Sequence, residues 1–311
     1  MAGVSRARIL VFLVALTAGL AASVALWRGG PDVGTREAEV IAPASPQRII
    51  CTSPAITELV YAISPSEADR RVVGISDFTT YPPEALDKPS CGGAINPNYE
   101  LILSLQPDLV ITQGAAEDLA VFAQKNGMSL LSLELTDLDS ILAAIEGLGS
   151  VLGLSEQAEA ARERLERRLD AVRARHGSAA PVPLLLVVGR EMESLTGIFA
   201  AGPGGFLDDV IGAAGGRNVC SDLPSPYAVV NREALIEKAP EVIVELHGEG
   251  GDEDQEQRLV REAWTAMGML PAVRHGRVYV VTSTYALIPG PRVVELVERL
   301  AALLHPEAGD G

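Results

Sequence analysis

Aromatic residues are scarce in this chain, at 4% of its positions, so loops that collect them are where ligand chemistry is first sought. The loop DFTTYPPEALDKPSCGGAINP carries Asp77, Phe78 and Tyr81, then Gly92, Gly93 and Asn96 beside Pro97. A loop so long and so rich in Pro and Gly inside a compact fold is usually functional. Ser53 and Pro54 precede it, Gly114 follows the apolar run DLVITQ, and Tyr227 and Tyr285 stand in later loops near Gly202–Gly205 and Ser283. Each of these alone reads as a plain turn residue. Aromatics on converging loops read together as a ligand pocket.

Covalent and metal chemistry find little support. The histidines, His176, His247, His275 and His305, are scattered, with no HExxH and no pair three or four apart. The acidic run EGGDEDQE, Glu249 to Glu256, lacks the oxygen spacing of an EF-hand loop. No GxSxG marks a nucleophile, and GPGGF lacks the GK[ST] of a phosphate loop. A catalytic triad or metal centre is therefore not expected. Cys51 closes an apolar run and Cys91 lies in a turn that should pass near it, so the two read as a disulfide or as two buried thiols. Cys220 is left over as a core filler. Glu58, one turn into a helix, reads either as compensation of the helix dipole or as a rim charge offered to a basic partner.

The elements that position these residues follow from periodicity. The segment 155–176, SEQAEAARERLERRLDAVRARH, has Ala158, Ala161, Leu165, Leu169 and Val172 on one stripe. Ser155 is placed to cap it, and Gly177 to stop it. On either side, short β-branched runs alternate with helices of about ten residues, the pattern of mostly parallel sheets covered on both faces. Strands are expected at Arg48–Thr52, Val72–Ser76, Asp108–Gln113 and Ser129–Leu135, then at Pro183–Gly189, Glu241–Leu246 and Arg277–Thr282. The fold class is α/β: two Rossmann-like lobes, 47–152 and 178–306, joined by one backbone helix (153–177), with the ligand cleft between lobes. In such sheets ligands sit beyond the carboxyl ends of the strands. One echo supports a shared plan: NYELILSLQPDLVI (98–111) and NREALIEKAPEVIV (231–244) match without a gap.

The chain has 41 acidic against 25 basic residues, a formal charge of −16, which argues against nucleic acid as a partner. Residues Ile9 to Trp27 are uncharged and mostly apolar, behind Arg6 and Arg8. Residues 1–28 are thus a signal peptide, cleaved or kept as a membrane anchor, that exports the chain. Residues 29–46 form a tether and 307–311 a tail.

RIICTSPAITELVYAI, VVGISDFTTYPPEA, GGAINPNYELILSLQPDLVI, GPGGFLDDVIGAAGGRNV and NREALIEKAPEVIV together resemble the helical-backbone (class III) substrate-binding proteins of bacterial ABC importers for vitamin B12, iron–siderophore complexes and haem. The resemblance covers about residues 47–306. It implies a periplasmic, monomeric, non-enzymatic carrier with no cofactor, which captures a metal chelate and docks on an ABC permease. It implies docking glutamates on each lobe. Glu58 matches the first; where the second is expected this chain has Gly212, leaving Asp208 and Asp209 as substitutes. The loop SDFTTYPPEA looks like that of cobalamin binders, with Phe78 and Tyr81 against a corrin ring and Tyr227 and Tyr285 from the other lobe, so a cobalt corrinoid ranks first. An iron chelate is the alternative: Tyr227 or Tyr285 could be axial to haem, and Arg190, Arg217 and Arg232 could serve a ferric catecholate. A membrane-tethered sensor or scaffold is the rival from another class.

Overall fold

The computed structural model describes residues 45–93, 95–176, 179–191, 195–248 and 251–306. These belong to one compact unit, Ala42–Gly311. The expected signal or anchor, the tether before Ser45, the Gly177 stop and the tail from 307 lie outside the described residues.

The chain opens with β1 (Ile49–Cys51). Ser53 then holds extended backbone and accepts the Ile56 N–H (3.3 Å), while Pro54 takes the first position of α1 (Pro54–Ile63). Next come α2 (Pro65–Arg71), β2 (Val72–Gly74), α3 (Tyr99–Ser104), β3 (Leu109–Gln113), α4 (Glu117–Lys125), β4 (Ser129–Leu133) and α5 (Leu138–Leu152). The long helix α6 (Ser155–His176) follows. The second half is β5 (Val182–Gly189), β6 (Ile198–Ala201), α7 (Phe206–Ala213), β7 (Gly216–Asn218), β8 (Tyr227–Val230), α8 (Arg232–Lys238), β9 (Val242–His247), α9 (Glu253–Trp264), α10 (Pro271–Arg274), β10 (Val278–Thr282) and α11 (Val293–Leu304).

The first sheet, ordered β2-β1-β3-β4, is parallel throughout. The second, ordered β10-β9-β5-β6-β8, keeps β10, β9 and β5 parallel but reverses β6 against both β5 and β8. Short β7 pairs in parallel with the start of β5. The sequence reading misses β6, β7 and β8. They are short and flanked by Gly or Pro, and GRN in β7 has no β-forming residue, so it is a strand only because β5 supplies its partner.

Helix α6 buries the five residues of its expected stripe, Ala158, Ala161, Leu165, Leu169 and Val172. Ser155 is its first residue and not its cap; the Leu154 carbonyl takes the Ala158 N–H at 2.9 Å. Gly149 on α5 lets α6 approach so closely that an added Cβ would lie 2.2 Å from the Ala158 Cβ. Across α6, Arg168 forks onto Glu298 of α11 at 2.9 and 2.7 Å. A single apolar core runs from Ile49, Ile56 and Ile111 through α5 and α6 to Leu184, Val244 and α11. Both sheets therefore share buried surface through the long helix. His176 and His305, far apart in sequence, are half-buried and stack with ring centroids 4.6 Å apart.

The echo is structural. Asn98 caps α3 by accepting the Leu101 N–H, and Asn231 caps α8 by accepting the Ala234 N–H. Gln106 and Ala239, just before Pro107 and Pro240, both hold positive φ (46° and 44°). Each unit ends in an interior strand, β3 or β9. Proline removes the helical option for the residue before it, which gives both units the same sharp exit.

Candidate functional site

The candidate residues lie on segments just beyond the carboxyl ends of the strands. In the first sheet these are Thr52 and Ser53 after β1, the 77–97 loop after β2, and Gly114 after β3. In the second they are Arg190 after β5, His247 at the end of β9, and Ser283–Arg292 after β10.

Asp77 organises its own loop. Its carboxylate accepts from the Ser90 hydroxyl and from the Gly92 N–H (3.1 Å), and its N–H donates to the Gly92 carbonyl (3.2 Å). Asp77 thus fastens the turn that carries Gly92 and Gly93, both buried, and Asn96, exposed. The Phe78 ring lies over Gly93, where a Cβ would meet Cε2 at 3.1 Å. Phe78, Tyr81 and Ile95 are 37%, 40% and 72% exposed, so this loop presents a run of apolar surface. Ile95 escaped the sequence reading because an isolated aliphatic residue between Gly and Pro carries no periodic signal. Gly114 turns the chain after β3, and its carbonyl accepts the Ser132 hydroxyl (2.8 Å).

From the second half come Tyr285, Thr284 and a residue not expected from sequence, Arg292. The Arg292 guanidinium grips Glu58 of α1 in a two-point fork, Nε to Oε2 at 2.9 Å and Nη2 to Oε1 at 2.6 Å. Its Nη1 donates to the Thr284 hydroxyl at 3.3 Å. Its Cζ lies 4.1 Å from the Tyr81 ring centroid and 5.5 Å from that of Tyr285. The structure thus brings Tyr81 and Tyr285, from opposite halves, to one cation. Burial pushes the Glu58 carboxyl up, and the Arg292 hydrogen bonds pull it back.

This geometry corrects two expectations, for Glu58 and for the cysteine pair. Glu58 is not a rim charge: it is 2% exposed and satisfied by Arg292. The substitutes stay at the surface, Asp208 half-buried and Asp209 exposed, while each also bonds within the fold. Asp208 accepts from the Gly204 N–H and the Asn218 side chain (3.2 and 2.8 Å), and Asp209 caps α5 through the Leu138 N–H (3.0 Å). Cys51 and Cys91 are free, buried thiols. Alternation along β1 explains this: Cys51 faces the core with Ile49, whereas Cys91 packs with Ile50 on the opposite face. Burial pushes Cys51 up to about 12 and Cys91 to about 11.

Tyr227 is the first residue of β8 and not a loop residue. Its ring stacks on Phe199 at 6.0 Å, and burial pushes its phenol up. Of the three candidate arginines, Arg217 and Arg232 are exposed on β7 and α8. Arg190 turns inward to Glu245 at 2.7 Å. The Glu245 carboxylate, 2% exposed, also accepts from Trp264 Nε1 (2.6 Å) and lies 3.2 Å from His247 Nε2. Burial opposes its ionisation, yet these partners hold its carboxyl below the ordinary range. Beside this network a cavity of about 300 Å³ is lined by Arg190, His247, Glu256, Leu259, Val260 and two neighbours on α9. None of its lining residues comes from the 77–97 loop or from Ser283–Arg292.

With this geometry in place, comparison with known proteins defines the class. The periplasmic binding protein family model matches residues 49–285, and the chain belongs to that family, a class of solute-binding proteins. The vitamin B12-binding protein of Vibrio cholerae serotype O1 is 27% identical over 269 residues, which cover 84% of this chain and 90% of that one. The crystal structure of periplasmic vitamin B12 binding protein BtuF of Vibrio cholerae aligns with a TM-score of 0.70 at 27% identity, over 84% of this chain and 98% of that one. Periplasmic heme-binding protein BhuT, in complex with two hemes, aligns with a TM-score of 0.70 at 28% identity, over 84% and 99%.

Proposed function

We propose that this protein is the exported solute-binding component of an ABC importer, and that it captures a cobalt corrinoid between the loops at the carboxyl ends of its two sheets and hands it to a membrane permease. The observation that carries this is the meeting of Tyr81 and Tyr285, from opposite halves of the chain, at Arg292, next to the exposed Phe78 and Ile95. A broad apolar ligand with polar edges suits such walls, because rings cover its faces and a few directed polar groups fix its orientation. The likeness to vitamin B12-binding proteins supports the same ligand class. Since Glu58 is enclosed, docking on the permease would use other surface in this conformation.

Haem is the second reading, favoured by the likeness to BhuT. Tyr227 and Tyr285 are its axial candidates, Tyr227 at the start of β8 with its ring against Phe199. The ferric catecholate reading loses Arg190 to Glu245. Calorimetric titration of the fragment beginning at Ala42 with cyanocobalamin tests the proposal. One-to-one binding that disappears in Phe78→Ala/Tyr81→Ala is expected. A folded fragment that ignores cyanocobalamin but gives a shifted Soret band with hemin would replace the corrinoid with haem.

A further inference from the structure

Arg292 touches both walls of the candidate cleft and both Tyr81 and Tyr285, and its surroundings are built around it. Gly290, two residues earlier, lies so close to α1 that a Cβ there would be 3.3 Å from Glu58 Oε2 and 3.7 Å from the Ala55 Cα. A methyl at 290 would crowd the Glu58 carboxylate by a few tenths of an ångström. The fork joins residues 234 positions apart, with Glu58 1% and Arg292 13% exposed as side chains. Thr284 takes a further donor in the guanidinium plane, leaving the faces of the cation for aromatic rings. Tyr81, by contrast, is 40% exposed on a long loop. Its ring lies against the cation, 4.1 Å from the guanidinium carbon.

We propose that Arg292 is a positioning residue for ligand capture: clamped by Glu58, it fixes the spacing of the two walls and holds the Tyr81 and Tyr285 rings in register before ligand arrives. This rests on the reading of the aromatic loops as the ligand site. The gain lies in pre-organisation, since rings ordered in advance need not be ordered on binding. Lysine cannot replace Arg292, because an ammonium offers neither the planar fork for Glu58 nor a flat face for Tyr81. The titratable groups facing the pair are Glu295, from α11, and the Tyr81 phenol.

The test starts without ligand, on the full chain. Spin labels at Val121→Cys on α4 and Met269→Cys beyond α9, both exposed positions, report the distance between the halves, and a fluorotyrosine at position 81 reports its ring by fluorine resonance. The native thiols are buried and stay unlabelled. Wild type is expected to give one narrow distance distribution and one sharp fluorine line. Arg292→Gln and Arg292→Lys should each broaden the distribution and shift and broaden the line. If Arg292→Gln does not fold, Glu58→Leu/Arg292→Leu removes the whole buried pair, a change folds commonly tolerate; it should fold and show the same broadening. A wild-type distribution and line in any folded variant lacking Arg292 would overturn the proposal, whatever the ligand. With cyanocobalamin as probe, Arg292→Lys should bind about tenfold more weakly, the order expected when two side chains must be ordered on binding. If wild type ignores cyanocobalamin, the corrinoid reading fails while the distance and fluorine results still decide the role of Arg292.

Discussion

Replacing Gly149 by alanine tests how the long helix is coupled to the first half of the molecule. The new Cβ would sit 2.2 Å from the Ala158 Cβ, where two carbons need about 3.5 to 4 Å. Helices α5 and α6 must then part by about 1.5 Å, or one of them must rotate. Overpacking of this kind costs about 1–3 kcal/mol. Alanine also gains about 1 kcal/mol over glycine inside a helix, so part of the clash is offset. Because Ala158 and its neighbours are buried, the clash should win, leaving Gly149→Ala less stable by up to about 2 kcal/mol. The decisive partner is Ala158→Gly, which loses about 1 kcal/mol by propensity alone. In the double variant the new methyl fills the space vacated by the old one. The clash vanishes and the two propensity changes cancel, so stability should return to within about 1 kcal/mol of wild type. Urea unfolding of all four proteins at one pH measures the cycle. Additive effects, with the double variant the least stable of the set, would refute the idea that α5 and α6 touch through these two positions.

Two further outcomes follow from the buried groups. The three cysteines should resist a neutral disulfide reagent at pH 8 in the folded protein and react in full once denatured, since burial holds Cys51 near about 12 and Cys91 and Cys220 near about 11; fast reaction of any one of them in the native state would contradict their placement. The Glu245 carboxyl is held below the ordinary range in the folded state, so its ionised form stabilises the fold in full above that range, and this is lost as pH falls through the depressed value. Glu245→Gln should therefore cost about 3 kcal/mol at pH 7, with the gap to wild type closing as pH falls below the ordinary carboxyl range; a gap independent of pH would show that packing alone is at stake.

The aromatic loop was legible because composition and length are local properties: Phe78 and Tyr81 stood out in a chain with few rings, and both are exposed in the structure. Its companions were legible only as turn residues. Asp77 proved to fasten the loop, and Tyr227 proved to be the start of a strand. Arg292 gave no signal at all. An arginine after Gly-Pro before a helix reads as an ordinary helix entry, and its partner lies 234 residues away.

What the sequence determined by itself is whatever repeats along the chain. The stripe from Ala158 to Val172, the alternation of helix and strand, and the Asn-to-Pro echo in each half needed no knowledge of distant neighbours, because side-chain period and backbone restriction act within a few residues. Tertiary structure alone decided the rest. It placed Cys51 and Cys91 on opposite faces of one sheet, turned Arg190 inward to Glu245, made a strand of Gly216–Asn218 by lending it the edge of β5, and enclosed Glu58 against Arg292. Each of these depends on which surfaces meet after the chain has folded, and a charge or a thiol carries no local mark of the partner it will find.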